Sequence, residues 1–480
     1  MPSERIGQPF HGESGSELGV AQGARPAETF IAAVGIAILT NGPSIAISHL
    51  YNIRLGWDRW PYLVPMGAVA MVGVFLCGRD LKPEHVRRFR WPIGLLAAYV
   101  AWSIASVTWS VAPDVTAMRS LVTAGVSAFG LWYGLSLRFK EQVLGVFFAT
   151  AVLSIWSLGL IVLQPKTHQI YPPPTEPSWH TQVFGVFGNP NSLGPVAALS
   201  VLSAIAVWIL FPSFAARALT VAVATVGIIL ALWSQCETAV IGLLLALLAI
   251  GCTRVLPFLR RRTSGWVVGG SLVAGVLILW KLFFDHVDRI APIIGADSML
   301  SSRRLIWIDM RRAISLRPWR GYGFFAFWDN DDFTAATYHN IGSPYGSAHN
   351  SILEVALGLG RIGLAIYVAM GIVMVAGIAR AVWAQTDIVR LAWLAMVAFL
   401  IAQNSMESFV LWHSYLWALF VAAMIVPTRL LSAPGLAHEH DADLTADDPA
   451  QESTAQVANG AVPVSAASAG RPSDHGLLND

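Results

Sequence analysis

ALTVAVATVGIILALWSQCETAVIGLLLALLAIGCT, residues 218–253, carries a single charged side chain, Glu237, in thirty-six positions. Two apolar runs, 218–234 and 238–253, flank the short polar turn Ser234-Gln235-Cys236-Glu237. A soluble helix keeps a polar face, whereas a helix apolar all round is buried or spans a membrane. A run of roughly 17–25 such residues matches the hydrocarbon thickness of a bilayer. Backbone amides in hydrocarbon must pair within their own segment, so both runs read as helices. The flanks orient them. Arg217 precedes the pair and Arg254, Arg260, Arg261 and Arg262 follow it, while the turn between has no base. By the positive-inside rule the outer ends are cytoplasmic and the turn faces the opposite side.

The same pattern extends in both directions. Further apolar runs lie at 28–48, 61–77, 92–110, 116–137, 142–164, 193–211, 265–284, 356–379, 387–404 and 408–427. The chain therefore reads as an all-α polytopic membrane protein with about twelve transmembrane helices. Composition agrees: of 480 residues 55% are hydrophobic and 12% charged, about half the charged share of soluble domains, and mean hydropathy is +0.58. Alternate loops carry the bases, namely Arg79, Lys82, Arg87, Arg88 and Arg90, then Arg138 and Lys140, and later Arg380 and Arg390. Both termini come out cytoplasmic. Residues 1–27 are polar and lack the charged start and short apolar core of a signal peptide, so they read as a tail. Residues 28–432 form the transmembrane domain. Residues 433–480, acidic and rich in Ala, Ser, Gly and Pro, bury too little apolar surface to order themselves. Cys77, Cys236 and Cys252 show no metal-ligand spacing and read as small packing residues.

Two loops on the non-cytoplasmic side stand out for length, 165–191 and 285–349, and long loops in compact proteins tend to be functional. The first ends in Gly188-Asn189-Pro190-Asn191-Ser192. Asn there is either a helix N-cap or, with the free amides of that helix start, part of an anion or sugar site. The second contains SSRRLIWIDMRRAISLRPWRGYGFFAFW, which breaks the charge rule with Arg303, Arg304, Arg311, Arg312, Arg317 and Arg320 against Asp309 alone. The stretch predicts an amphipathic helix ending near Pro318, with Arg304 and Arg311 on one face beside Trp307 and Ile308, followed by a tight turn at Gly321 and Gly323. A solvated basic face or an anionic-lipid anchor is one reading. The other is a site for a multiply charged anion, since all six bases are arginine, the side chain that grips phosphate oxygens bidentately.

His349-Asn350 opens the next apolar run. A lone histidine is more often a hydrogen-bonded structural residue, but this one stands at a membrane–water boundary in the loop of the arginine cluster, where imidazole can take a proton near neutral pH. Glu354 and Arg361, further along the same run, are secondary candidates because ionisable groups inside a span face a cavity or a partner. Asp329-Asn330-Asp331-Asp332 lacks the glycine and glutamate of a calcium loop and reads as a solvated turn. No P-loop, dinucleotide fingerprint, zinc-protease motif or nucleophile elbow is present, and nothing supports nucleic-acid binding.

Taken in order, GNPNSLG in one outer loop, R-x-x-W (Arg304 to Trp307) and G-x-G in the larger one, and His-Asn opening a helix, the chain resembles the O-antigen ligase and Wzy-type polysaccharide polymerase superfamily from roughly Val183 to Phe420. The resemblance implies a metal-independent, cofactor-free glycosyltransferase on the periplasmic face of the bacterial inner membrane. Its donor would be an oligosaccharide on undecaprenyl pyrophosphate and its acceptor a saccharide or lipid A-core. Flippase and chain-length regulator proteins would be neighbours. Arg304 then matches the pyrophosphate-binding arginine and His349 the histidine that activates or orients the acceptor hydroxyl. Asn189 and Asn191 match the asparagine turn, Gly321 and Gly323 the glycine pair, and Asn350 would orient the histidine or cap its helix. Arg303, Arg311, Trp307 and Arg361 are further substrate-binding candidates. Glu407, in NSMESF, matches an acidic position with no assigned role.

One departure matters. Many members carry a base where this chain has Glu237, so one phosphate ligand is missing, with Arg303, Arg311 or Arg361 as replacements. The S-Q-x-x-T frame at 234–238 is closer to exopolysaccharide polymerases than to lipopolysaccharide ligases. A polymerase is therefore the leading expectation and a ligase the alternative. A transporter or flippase is the reading from another class; it would place its polar groups near broken helices at the bilayer midplane.

Overall fold

A computed structural model describes residues 25–45, 60–170, 181–260, 297–330, 346–408 and 414–431, with a few isolated positions besides; the side chains of 60–63, 260, 297–302 and 304 are not among those described. The principal helices are α1 (Pro26–Leu39), α2 (Trp60–Asp80), α3 (Arg90–Ala105), α4 (Pro113–Ser136), α5 (Phe139–Leu163), α6 (Pro190–Leu210), α7 (Phe214–Trp233), α8 (Glu237–Cys252), α9 (Asp297–Leu316), α10 (Ser351–Ala384), α11 (Ile388–Met406) and α12 (Tyr415–Leu431). A two-residue ribbon pairs Gln169–Ile170 with Gln182–Val183 in the first long loop.

The chain is a polytopic all-α membrane protein, and seven of the twelve expected crossings are met among the described residues. Among the described residues seven segments are long and apolar enough to cross a membrane: Arg90–Trp109, Phe139–Leu163, Pro190–Leu210, Phe214–Trp233, Glu237–Leu259, Ser351–Ala384 and Ile388–Met406. α1 and α12 are apolar but shorter, at 14 and 17 residues. α2 and α4 occupy two more of the expected positions. In α4 the apolar pattern is diluted by Asp114, Arg119 and several buried hydroxyls, most of which pack on neighbouring helices. The expected span 265–284 and the terminal segments 1–24 and 432–480 lie outside the described residues.

Without a hydrophobic drive between helices in lipid, close packing depends on small residues. A Cβ on Gly125 of α4 would lie 2.3 Å from the Cβ of Ala70 on α2, and one on Gly130 would lie 2.7 Å from the Ala418 carbonyl oxygen on α12. Polar groups collect at the two ends of the bundle. At one end Arg25 donates to Glu141 at 2.7 Å and to the Ser136 carbonyl. There too Arg429 donates to the carbonyls of Gly134 and Leu137, and Arg390 pairs with Asp387 and donates to the Leu430 carbonyl. At the other end meet the termini of α3, α4, α10 and α11 and the loop after α9.

α10 is two helical halves joined at Gly360, whose φ of 67° and ψ of −167° no helix contains. The break frees three carbonyls, and buried carbonyls need donors. Tyr322 N donates to Leu357 O at 3.0 Å and Gly323 N to Gly358 O at 2.9 Å. The Trp102 indole donates to Leu359 O at 3.0 Å. In return Arg361 N donates to Pro318 O at 2.8 Å. The loop after α9 is thus threaded into the break. Below it, Tyr99 packs at 5.3 Å from Trp417 and 6.3 Å from Phe324, tying α3, α12 and the loop into one aromatic core.

Candidate active site

α9 forms where the alternation of bases and apolar residues predicts a helix, and it stops at Leu316, two residues before Pro318. Its inner face carries Arg303, Ile306, Trp307 and Met310, all buried. Arg303 reaches the end of α11, where it donates to Glu407 Oε1 at 2.6 Å and to the Met406 carbonyl at 2.9 Å. The other oxygen of Glu407 faces His349 Nδ1 at 2.8 Å. One carboxylate, itself fully buried, therefore holds both groups. Burial works to raise the Glu407 carboxyl; the charges of His349 and Arg303, with the hydrogen bonds from both, outweigh it and hold the group below the ordinary carboxylate range. A carboxylate so placed accepts from Nδ1–H, which leaves Nε2 as the basic nitrogen of the imidazole.

His349 is fixed from its backbone as well. It adopts φ 47°, in the left-handed region, which costs a non-glycine residue of order 1–3 kcal/mol and persists only where its surroundings hold it there. The preceding residue, Ala348, is held at both its N–H and its carbonyl. Ala348 N donates to Glu354 Oε2 at 2.7 Å, and the Trp307 indole donates to the Ala348 carbonyl at 2.8 Å. The Trp328 indole takes the second oxygen of Glu354 at 2.7 Å. Asn350 caps α10, accepting from Leu353 N at 3.1 Å while its amide donates to the Ser405 carbonyl at 3.0 Å. Ser351 Oγ donates to the Glu407 carbonyl. The start of α10 and the end of α11 are thereby locked together around the His349–Glu407 pair.

The expected site residues separate into groups. His349, Arg303, Asn350 and Trp307 come together, with Trp307 buried as support rather than displayed. Arg304 lies in α9 next to Arg303, and its side chain is outside the described residues. Arg311 is exposed and donates to the Trp307 carbonyl. Gly321 and Gly323, at φ 68° and 101°, are the buried residues of the threaded loop; a Cβ on Gly321 would lie 2.5 Å from Leu357 O. Arg361 is exposed at the α10 break, its guanidinium carbon 5.5 Å from the Trp319 ring centre. Asn189 caps α6, accepting from Asn191 N at 2.8 Å. Its helix reaches the site indirectly, because Gly194 seats against Cys236, and Cys236 lies within electrostatic reach of Glu407 and Arg303. Glu237, at the head of α8, is exposed and also within reach of Arg303. Of the three proposed replacements for the missing base, Arg303 is committed to Glu407.

Three residues carry more than their sequence suggests. Glu407, which the resemblance matched to an acidic position without a role, is the hub of the site. Arg119, inside α4, donates at 2.5 Å to both the Phe325 carbonyl and Asp329, fixing the loop after α9. Asp329 is therefore an ion-pair partner and not the solvated turn residue expected. Trp328 had no sequence signal beyond its aromatic neighbours.

One buried carboxylate thus orients an imidazole and a guanidinium at one end of the helix bundle. No curated protein matches the chain. Residues 222–368, which include α9, His349 and the threaded loop, match the family model described as O-antigen ligase. The chain thus carries a domain of the O-antigen ligase (Wzy_C) family, whose members are ligase- and polymerase-type transferases of lipid-linked glycans.

Proposed function

We propose that the protein works on the periplasmic face of a bacterial inner membrane, transferring an oligosaccharide from undecaprenyl pyrophosphate to a saccharide acceptor, as a polymerase of repeat units. The observation that carries this reading is the buried Glu407 holding Arg303 and His349 together. With Nδ1–H directed at Glu407, Nε2 takes the proton of the acceptor hydroxyl. The hydroxyl oxygen attacks the anomeric carbon, the bond from that carbon to the pyrophosphate oxygen breaks, and the electron pair leaves with the lipid pyrophosphate. Glu407 orients the ring and stabilises the imidazolium. Arg304, on the face of α9 shared with Arg311, is the residue for the leaving pyrophosphate, where preorganised guanidinium groups are most effective in a water-poor cleft.

The outward placement is supported by Arg25, Arg390 and Arg429, which gather at the end of the bundle remote from His349. The transporter reading loses its main support at the α10 break, whose freed carbonyls are taken by loop and indole donors.

The test is glycolipid analysis of a deletion strain complemented with wild type or His349→Ala. Single lipid-linked repeat units without polymer in the variant are expected for a polymerase. Long lipid-linked chains beside bare lipid A-core would assign a ligase instead, and identical glycolipids in both strains would remove the transferase reading.

A further inference from the structure

α9 has a second face. At about 100° per residue, Leu305, Ile308, Arg312 and Leu316 fall within an arc of about 80°, opposite the buried face that serves the site. Leu305 is 45% exposed, Ile308 47% and Leu316 73%, and Trp319 just beyond is 61% exposed. Single exposed apolar residues mean little, but four on one helix face and its continuation form a patch. Arginine surrounds it. Arg311, Arg312, Arg317, Arg320 and Arg361 are exposed, and Asp309 is the only acidic residue between 303 and 328.

The patch is continuous with a membrane-facing surface. Arg320 stands 5.6 Å over the ring of Trp109, and the Trp109 indole donates to the Arg320 carbonyl at 2.9 Å. Trp109 is the last residue of the candidate span Arg90–Trp109. Arg361, over Trp319, opens the second half of α10, which is the part long enough to cross. Tryptophan and arginine at the end of a span mark the headgroup layer, where an indole has its body in hydrocarbon and its N–H in a wet region.

We propose that this outward face of α9, with Trp319 and Arg320, is seated in the headgroup layer of an anionic leaflet, its apolar residues toward the acyl chains and its guanidinium groups on lipid phosphate. Guanidinium forks match phosphate oxygens bidentately, and an amphipathic helix with bases on its rim lies in the interface plane. The seat fixes the depth of the opposite face, which carries Arg303 and Trp307 to His349. This inference does not depend on the transferase reading.

The test is a nitroxide at Leu316→Cys in a Cys252→Ser background, Cys77 and Cys236 being buried, with Lys166→Cys as the aqueous control. The protein is held in nanodiscs of phosphatidylcholine with or without phosphatidylglycerol. Collisions with oxygen should exceed those with a water-soluble nickel chelate at 316, and the reverse should hold at 166. The label should sit deeper when phosphatidylglycerol is present, and Arg312→Glu with Arg320→Glu should abolish that difference. A label at 316 as chelate-accessible as the one at 166 would overturn the seat. Equal depth with and without the anionic lipid would overturn its charge recognition. Immobilisation only on adding an acidic polysaccharide would assign the patch to saccharide and sink the lipid proposal.

Discussion

Replacing Glu407 by glutamine separates the charge of the hub from its shape. The carboxylate has one oxygen on Arg303 at 2.6 Å and the other on His349 Nδ1 at 2.8 Å. An amide keeps one acceptor, and the stronger demand comes from the buried guanidinium, which has no second protonation state to adopt. The glutamine oxygen therefore stays on Arg303 and its NH2 group faces Nδ1. Two donors cannot share that contact, so the imidazole must put its proton on Nε2 and accept at Nδ1, and Nε2 ceases to be the base. In a serine-protease triad the equivalent loss of the correct tautomer costs about four orders of magnitude in turnover, and a fall of about 10³–10⁴ is expected here. Glutamine also removes the counter-charge of Arg303, but both contacts remain hydrogen bonds, so the melt should fall less than for alanine. Glu407→Ala goes further, because it leaves the buried Arg303 with neither a counter-charge nor an acceptor at that position, a loss of about 3–5 kcal/mol that should appear as reduced protein in the membrane. The assay is turnover per milligram of folded protein, alongside a thermal melt. A glutamine variant with wild-type turnover would refute the argument that the hub sets the histidine tautomer.

Four further outcomes are expected. Glu354→Gln puts a donor against either Ala348 N–H or the Trp328 indole, costing about 1–3 kcal/mol; adding Trp328→Phe should restore part of both melt and turnover, and no recovery would show that the clamp is not the cause. Gly360→Ala sets a Cβ 2.3 Å from the Trp319 carbonyl carbon and oxygen at φ 67°, so a loss of roughly 2–6 kcal/mol is expected, read by thermal unfolding; an unchanged melt would contradict the threaded loop. Because the Glu407 carboxyl is held below its ordinary value, its stabilising contribution is present above the unfolded carboxylate range and lost as pH falls through the lower folded value; the wild-type melt should therefore drop more steeply on acidification than that of Glu407→Gln, and parallel profiles would contradict this. Arg312→Ala, on the outward face of α9, should retain far more product than Arg304→Ala, and equal loss would overturn the division of the helix into two faces.

Much of this could be seen in the chain before folding. Apolar runs bounded by arginine give the helices, because length and burial in lipid leave no other solution. The basic stretch at 303–320 gives α9 and its end near Pro318, because periodicity and proline are local signals. His349-Asn350 marks the head of α10, since an asparagine cap is local too. What the residues could not disclose is partnership across distance. Glu407 lies 104 residues from Arg303 and 58 from His349, and an acidic residue at a helix end says nothing of what it will meet. Gly360 looked like any glycine in an apolar run; its break is readable only once Tyr322, Gly323 and Trp102 are seen to supply the missing donors. Nor does the sequence of α4 show that Arg119 within it pairs with Asp329, 210 residues away.

The central claim is that His349, oriented by Glu407, moves a glycan from a lipid pyrophosphate without nucleotide. It is met most directly by incubating the purified protein in nanodiscs with a lipid-pyrophosphate-linked repeat unit and following release of lipid pyrophosphate against growth of the saccharide. The account predicts one lipid pyrophosphate released per new glycosidic bond for wild type, without added nucleotide, and neither product for His349→Ala. Bond formation by His349→Ala at the wild-type rate would contradict it.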